Sequence, residues 1–217
     1  MSEFLISRKD YEQIYKTIYS ILKSETTNTL ILQSCICFSI AGAFMLKEIY
    51  CLDATIAGGI AAYKVGNGDH SVATFADVSQ GQFFCSENGF HCWVEANGWL
   101  IDFMAPIFPD AITSVGYQTK CESKMMQKSL DQMADSISSL ETPGDFYVQK
   151  FPTFKDKIIN IFLAKSESYD LLETLFDCSL LWYKRPPEKM YERVSITDRK
   201  GNIKNFSLQG KSLVGAW

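Results

Sequence analysis

The sequence predicts an α+β fold, with helices first, then a block of antiparallel strands, then helices again. Three observations carry this expectation. Tyr11, Ile14, Tyr15, Ile18, Ile21 and Leu22 recur at helical spacing near the start. The middle of the chain is rich in small and β-branched residues and is cut by glycine and asparagine turns. Helical spacing then returns beyond Pro106 and Pro109.

Ser7 followed by Asp10 forms a capping box for the first helix, which should end near Lys23. A polar stretch, Ser24 to Asn28, separates it from a second helix over about Ser34 to Tyr50, in which Ser39, Ala41, Gly42 and Ala43 would allow close approach of other elements. Thr55 to Val65 reads as a strand, with Gly66-Asn67-Gly68-Asp69 as the turn that follows. His70 to Val78 and Gln82 to Ser86 read as further strands. The clearest hairpin joins Phe90–Ala96 to Trp99–Met104 through Asn97-Gly98, because both turn residues tolerate positive φ. Thr119 with Glu122 suggests another helix start, and Met126, Leu130, Met133, Ile137 and Leu140 form its apolar stripe, up to the break at Thr142-Pro143-Gly144-Asp145. Two more helices are expected over Phe154–Ala164 and Tyr169–Tyr183, ended by Pro186-Pro187, with a last hairpin from Arg193–Thr197 and Ile203–Leu208.

Composition narrows the function. With 217 residues the chain is long enough for a sizeable core, and a net charge of -4 without a long basic run argues against nucleic-acid binding. The opening MSEFLISRKDYEQ lacks a secretory pattern, and the most apolar stretch, Cys35 to Leu46, falls short of the ~20 residues a membrane span needs. Seven cysteines without a CxxC pair suggest neither a disulfide framework nor a zinc ribbon, so free thiols in a reducing cytoplasm are expected. Neither a cofactor nor a metal is expected. Gly58-Gly59 and Gly66-Asn67-Gly68 match no dinucleotide or phosphate-loop spacing, and His91 and Glu95 on one strand would stand about 13 Å apart. His70 reads as a solvated loop residue, and Lys184-Arg185 as a surface helix end.

The residues that carry chemistry lie in HCWVEANGWLID. A two-residue turn at Asn97-Gly98 pairs Ala96 with Trp99 and, by extension, Trp93 with Asp102. His91, Trp93 and Asp102 then share one face of the sheet, with Asp102 diagonal to His91 at roughly 7–8 Å along the backbone, within reach of an imidazole and a carboxylate. A carboxylate so placed fixes the tautomer of a histidine base. A nucleophile must come from elsewhere. Cys35 and Cys37 both lie in the first turn of the second helix, where unpaired N–H groups and the helix dipole favour thiolate. Ser34 as N-cap makes Cys35 the first helical residue, and Cys37 lies about 200° further round.

HCWVEANGWLID resembles the H-x-W-V-E…G-W…D segment of transglutaminase-like domains, where the His and Asp are the second and third triad members. Gln33-Ser34-Cys35-Ile36-Cys37-Phe38-Ser39 resembles the S-C-x-x-F-S start of the papain catalytic helix, and Leu46-Lys47-Glu48-Ile49 is similar to the same region of arylamine N-acetyltransferases. The glycine pair that precedes the acetyltransferase cysteine is absent. The resemblance covers about residues 29–106. It implies a papain-like or transglutaminase-like fold of a bacterial branch, one domain over 1–217, with a catalytic helix on an antiparallel sheet and a helical and short-β part over about 119–217. It further implies a Cys35–His91–Asp102 triad acting on a small-molecule or peptide acyl substrate, with Gln33 near the oxyanion and Trp93 beside the site. Water as second nucleophile gives a hydrolase; an amine gives an acyl transferase. The alternative is the same fold without activity, serving as a binding or scaffolding protein.

Overall fold

The computed structural model describes residues 4–27, 31, 34–68, 71–117, 120–183 and 190–217. Gln33, His70, Thr119, Lys184-Arg185 and Pro186-Pro187 lie outside the described residues. The fold is α+β, with a curled antiparallel sheet and several helices.

Helix α1 spans Arg8–Glu25; the Ser7 hydroxyl caps it by accepting from the Asp10 N–H at 3.1 Å. Its apolar stripe is fully buried, Tyr11 through Leu22 included. Helix α2 spans Cys35–Tyr50 and is apolar almost all round, the pattern of a helix enclosed by other elements. It packs on α1 and on the sheet. Gly42 makes that packing possible, since a Cβ there would stand 2.3 Å from the Phe103 ring.

Strand β1, Ala54–Lys64, is the spine of the sheet. Around it stand β2 (Val72–Phe75), β5 (His91–Ala96), β6 (Trp99–Asp102), β7 (Met126–Ser129) and β8 (Phe146–Lys150), in the order β2-β1-β5-β6-β7 with β8 also on β1. The register shows how one strand takes three partners. Ala61, Ala62 and Tyr63 pair with both β2 and β8, so these two lie on opposite edges of β1. Gly59 pairs with both His91 and Lys150, so β5 and β8 also lie on opposite edges. Strands β5 and β2 therefore follow one another along one edge, and the seam between them falls where His91 meets Gly59 and Phe75 meets Ala61. The chain between them leaves the sheet as a small hairpin, β3 (Asp77–Ser79) and β4 (Gln82–Phe84).

The β5–β6 turn has Asn97 at φ 48° and Gly98 at φ 78°, and its register is the expected one, Ala96 opposite Trp99 and Val94 opposite Ile101. After β6, Pro106 and Pro109 start helices instead of ending structure: a 3-10 turn at Ala105–Ile107 leads into α3, Phe108–Ser114. The helix expected over Met126–Leu140 does not form. Met126 pairs with Asp102 and Gln127 with Ile101, so this segment closes the sheet as β7 and continues as 3-10 turns at Leu130–Gln132 and Ile137–Ser139. Only Met126 and Leu140 of the expected stripe are buried; Met133 is 39% exposed. Edge pairing with β6 satisfies the backbone there and outweighs a helical spacing that would have had little to bury against.

Helix α4 (Pro152–Leu163) lies over the Gly58 face of β1, with Lys155 and Phe90 closest to that glycine. Helix α5 (Ser166–Trp182) packs on α1 and α2. The hairpin of β9 (Arg193–Thr197) and β10 (Ile203–Ser207) packs against α5 and α1. The tail joins the sheet region through a parallel bridge from Ala216 to Met125. Among the described residues, no helix is long and apolar enough to cross a membrane.

Candidate functional site

The β1 seam builds the site. Alternation along β1 puts Gly59, Ala61 and Tyr63 on one face, so their partners His91 and Phe75 share it. The Phe75 ring stacks on the His91 imidazole at 4.2 Å, and the rings of Tyr63 and Phe108 meet it edge-on at 6.0 Å. His91 is wholly buried.

Asp102 ends β6 diagonally from His91. Its Oδ2 lies 2.6 Å from His91 Nε2, and its Oδ1 accepts the Met104 N–H at 3.0 Å. Both carboxylate oxygens are thus used. The backbone is anchored as well, because the Tyr11 hydroxyl donates to the Asp102 carbonyl and the Tyr11 ring stacks on Phe103 at 4.9 Å. Helix α1 therefore helps fix the carboxylate. The Tyr63 hydroxyl is buried near Asp102 without a hydrogen-bond partner of good geometry among the described residues, and burial together with the Asp102 charge pushes its phenol well up.

With Nε2 taken by Asp102, the nitrogen left to the imidazole is Nδ1, which makes no hydrogen bond of ordinary geometry. Cys35 faces it from the first residue of α2. The Cys35 thiol is held below its ordinary value, first by the Cys92 thiol that donates to it, then, against the opposing cost of burial, by His91 and by the Cys92 N–H. Burial opposes the charge on His91, yet the Asp102 carboxylate, its hydrogen bond and the Cys35 sulfur outweigh it and lift the imidazole to about 10. The two shifts run in opposite directions, the Cys35 thiol toward thiolate and the His91 imidazole toward its charged form. Cys37 differs: it is buried among apolar neighbours, and burial, then the Cys35 charge, push it up to about 12. Of the two cysteines of this helix turn, Cys35 is the one brought to His91.

Trp93 shares the face of His91, but it is fully buried and its indole N–H donates to Glu95 at 3.0 Å. It is part of the hydrophobic core. Cys92, Phe75, Tyr63, Phe108 and the Met104 N–H complete the surroundings, and sequence reasoning singled out none of them. Cys92 could have been noticed as the neighbour of His91, although strand alternation sends it to the other face. Among the described residues, no group of three or more His, Cys, Asp or Glu side chains could hold a metal ion.

Comparison with known proteins agrees on one point. Residues 7–217 match the family described as "Protein of unknown function (DUF2026)". The chain belongs to the DUF2026 family. It is also similar to a solved structure, "The crystal structure of genomics APC5867", with 33% identity, a TM-score of 0.84, and coverage of 100% of this chain and 99% of that one. At that identity, coverage and TM-score, this DUF2026 chain and that structure share their overall fold. No curated protein matches the chain.

Proposed function

We propose that this protein is a cysteine-dependent acyl hydrolase or acyl transferase of papain-like or transglutaminase-like kind, acting through a thioester on a Cys35–His91–Asp102 triad. The observation that carries the reading is the His91 ring, held at Nε2 by Asp102 and left with Nδ1 facing a first-turn cysteine. In this reading the Cys35 thiolate attacks the carbonyl of an amide, ester or thioester. The oxyanion that forms meets the unpaired N–H groups at the start of α2. His91 gives its proton to the leaving group, and the acyl group stays on sulfur. His91 then takes a proton from water or an amine as that nucleophile releases the acyl group, while Asp102 keeps the ring in place.

A second reading has its own observation. Cys35 is 7% exposed and His91 0%, with Phe75 across the ring, so the site is closed as it stands. That favours a binding or scaffolding protein with an inert thiol. Iodoacetamide kinetics followed by mass spectrometry separate the two. Under the catalytic reading Cys35 alkylates at near-neutral pH, Cys37→Ala labels like the parent at that site, and Cys35→Ala loses the fast phase. If parent and Cys35→Ala label alike, the catalytic reading is wrong.

A further inference from the structure

A cavity of about 530 Å³ opens where the start of the chain, the β6–β7 pair and the tail meet. Small-ligand sites run from ~300 to ~1,000 Å³, so the space suits a small molecule. Phe4, Trp99 and Trp217 give it aromatic walls, and Arg8, Lys128 and Gln132 give it polar ones. Three stretches far apart in sequence build it, and each is fastened. The buried Gln127 side chain accepts from the Ile6 N–H at 3.0 Å and donates to the Ile6 carbonyl at 2.9 Å, which pins the stretch from Phe4 to Arg8 onto β7. Trp99 is held by its pairing with Ser129. The Met125 N–H donates to the Gly215 carbonyl at 3.0 Å and the Trp217 N–H to the Met125 carbonyl at 2.9 Å, which pins the tail.

The charge of the cavity is one-sided. Among the described residues no carboxylate side chain lines it, and neither the Arg8 nor the Lys128 side chain has a hydrogen bond or ion pair. Arg8 is the first residue of α1, where the helix dipole disfavours a cation. Asp145 is the acid that acts on Lys128, and its carboxylate already accepts from the Glu141 N–H at 2.9 Å and the Thr142 N–H at 2.7 Å. Lys124 stands over the Trp217 ring at 4.9 Å and adds positive charge beside that wall, although it is paired with Glu122. The Trp217 indole N–H is buried with no acceptor among the described residues, a donor to spare in a structure where such groups are few. An anion would supply what Arg8, Lys128 and the indole all lack. We propose that this cavity binds a small flat aromatic acid, with its ring against the Trp99 and Trp217 indoles and its anionic group paired with Arg8 and Lys128. Ring-on-ring packing and charge-assisted hydrogen bonds are the two attractions these walls offer. A phosphate and a carboxylate both serve the cations, so a mononucleotide and an aryl carboxylate are the two sources of this chemistry. None of Cys35, His91 and Asp102 lines the cavity, so the proposal stands apart from the acyl chemistry.

The test titrates the full chain by isothermal calorimetry with adenosine 5′-monophosphate in one arm and indole-3-acetate in the other. The neutral adenosine and indole serve as their counterparts. At least one acid should bind at one site per chain, its neutral counterpart about tenfold more weakly or worse, and the affinity should fall as salt is added. The arm that binds tells the phosphate source from the carboxylate source. Arg8→Gln and Lys128→Gln both lie outside the buried core, and each, checked for folding by circular dichroism, should weaken binding about tenfold or more. In nitrogen–proton spectra the Trp217 indole resonance, assigned with Trp217→Phe, should move during the titration. Absence of binding by either acid up to millimolar concentration overturns the proposal. So does a neutral counterpart that binds as tightly as its acid, binding that either variant leaves undiminished, or a Trp217 indole resonance that stays in place while an acid binds.

Discussion

Asp102→Asn removes a charge and changes almost nothing in shape. In the parent the two carboxylate oxygens accept from His91 Nε2–H and the Met104 N–H. An amide has one acceptor, so one buried donor loses its partner, at a cost of roughly 1–3 kcal/mol. The electrostatic effect is larger. His91 stands at about 10 instead of 6.5 because the Asp102 charge and hydrogen bond, with the Cys35 sulfur, overcome burial; without Asp102 only the sulfur opposes burial and the imidazole falls toward its ordinary value. The imidazolium then no longer supports the Cys35 thiolate at neutral pH. Each unit that the thiol rises cuts the thiolate about tenfold on the acid side of its titration, so iodoacetamide alkylation of Cys35 at pH 6 should slow by roughly tenfold or more. The sign in stability is fixed as well. A group raised in the folded state gives its full contribution below the unfolded value of 6.5 and loses it as pH rises through about 10. Urea unfolding should therefore show the gap between parent and variant widest below pH 6.5 and narrowest near pH 10. An unchanged pH–alkylation profile with Asp102→Asn would show that Asp102 does not set the charge of His91, and the triad would lose its electrostatic basis.

Three other substitutions probe the supports. Gly42→Ala puts a Cβ 2.3 Å from the Phe103 ring, which Tyr11 holds from another side, so it should destabilise by roughly 1–3 kcal/mol despite its helix propensity and slow Cys35 alkylation by moving the adjacent Asp102; an urea midpoint equal to the parent's refutes the packing account. Phe75→Ala removes the ring over His91 and should raise the alkylation rate of Cys35 several-fold while lowering stability by roughly 2 kcal/mol, and an unchanged rate would mean that Phe75 does not guard the site. Tyr63→Phe deletes a buried hydroxyl that lacks a good hydrogen bond, so stability should hold or rise by up to about 1 kcal/mol; a loss beyond that would mean the hydroxyl holds Asp102.

What was legible in the sequence was local. Ser7 and Asp10 announce α1, and Asn97-Gly98 fixes the β5–β6 register, which brings Asp102 within hydrogen-bond reach of His91. Phe75 and Tyr63 were not legible because their meeting with His91 depends on β2 and β5 sharing one edge of β1, a pairing that no spacing in the chain encodes. The Met126–Leu140 stripe misled for the converse reason: its period is helical, but the open edge of β6 competes for the same residues and wins. Strand β8, Phe146–Lys150, follows a Pro-Gly break and gave no alternation strong enough to stand out. Cys92 points away from His91 by alternation, and no spacing in the chain ties it to the Cys35 thiol that it helps to lower. Gln33, expected near the oxyanion, lies outside the described residues.

The buried charges themselves argue for chemistry over scaffolding, and the point can be tested by removing all three. The Cys35 thiol, His91 imidazole and Asp102 carboxyl group together lack solvent, and holding charges out of water costs several kcal/mol each. Replacing one member strands the others: His91→Leu leaves Asp102 buried without its cation and should cost about 3–5 kcal/mol. Replacing the set with apolar residues of similar size, Cys35→Ala, His91→Leu and Asp102→Leu, removes the desolvation cost and leaves the Met104 N–H without its carboxylate acceptor and Cys92 without the Cys35 sulfur, a loss of roughly 1–3 kcal/mol for the N–H and less for the weak thiol contact. The triple variant should thus be more stable than His91→Leu alone, although it lacks every polar group of the site. Stability that falls further with each substitution would mean that the trio is a structural network, and would favour the scaffolding reading. Stability recovered in the triple variant would mean that the fold does not need these charges and bears their cost for what the thiol can do.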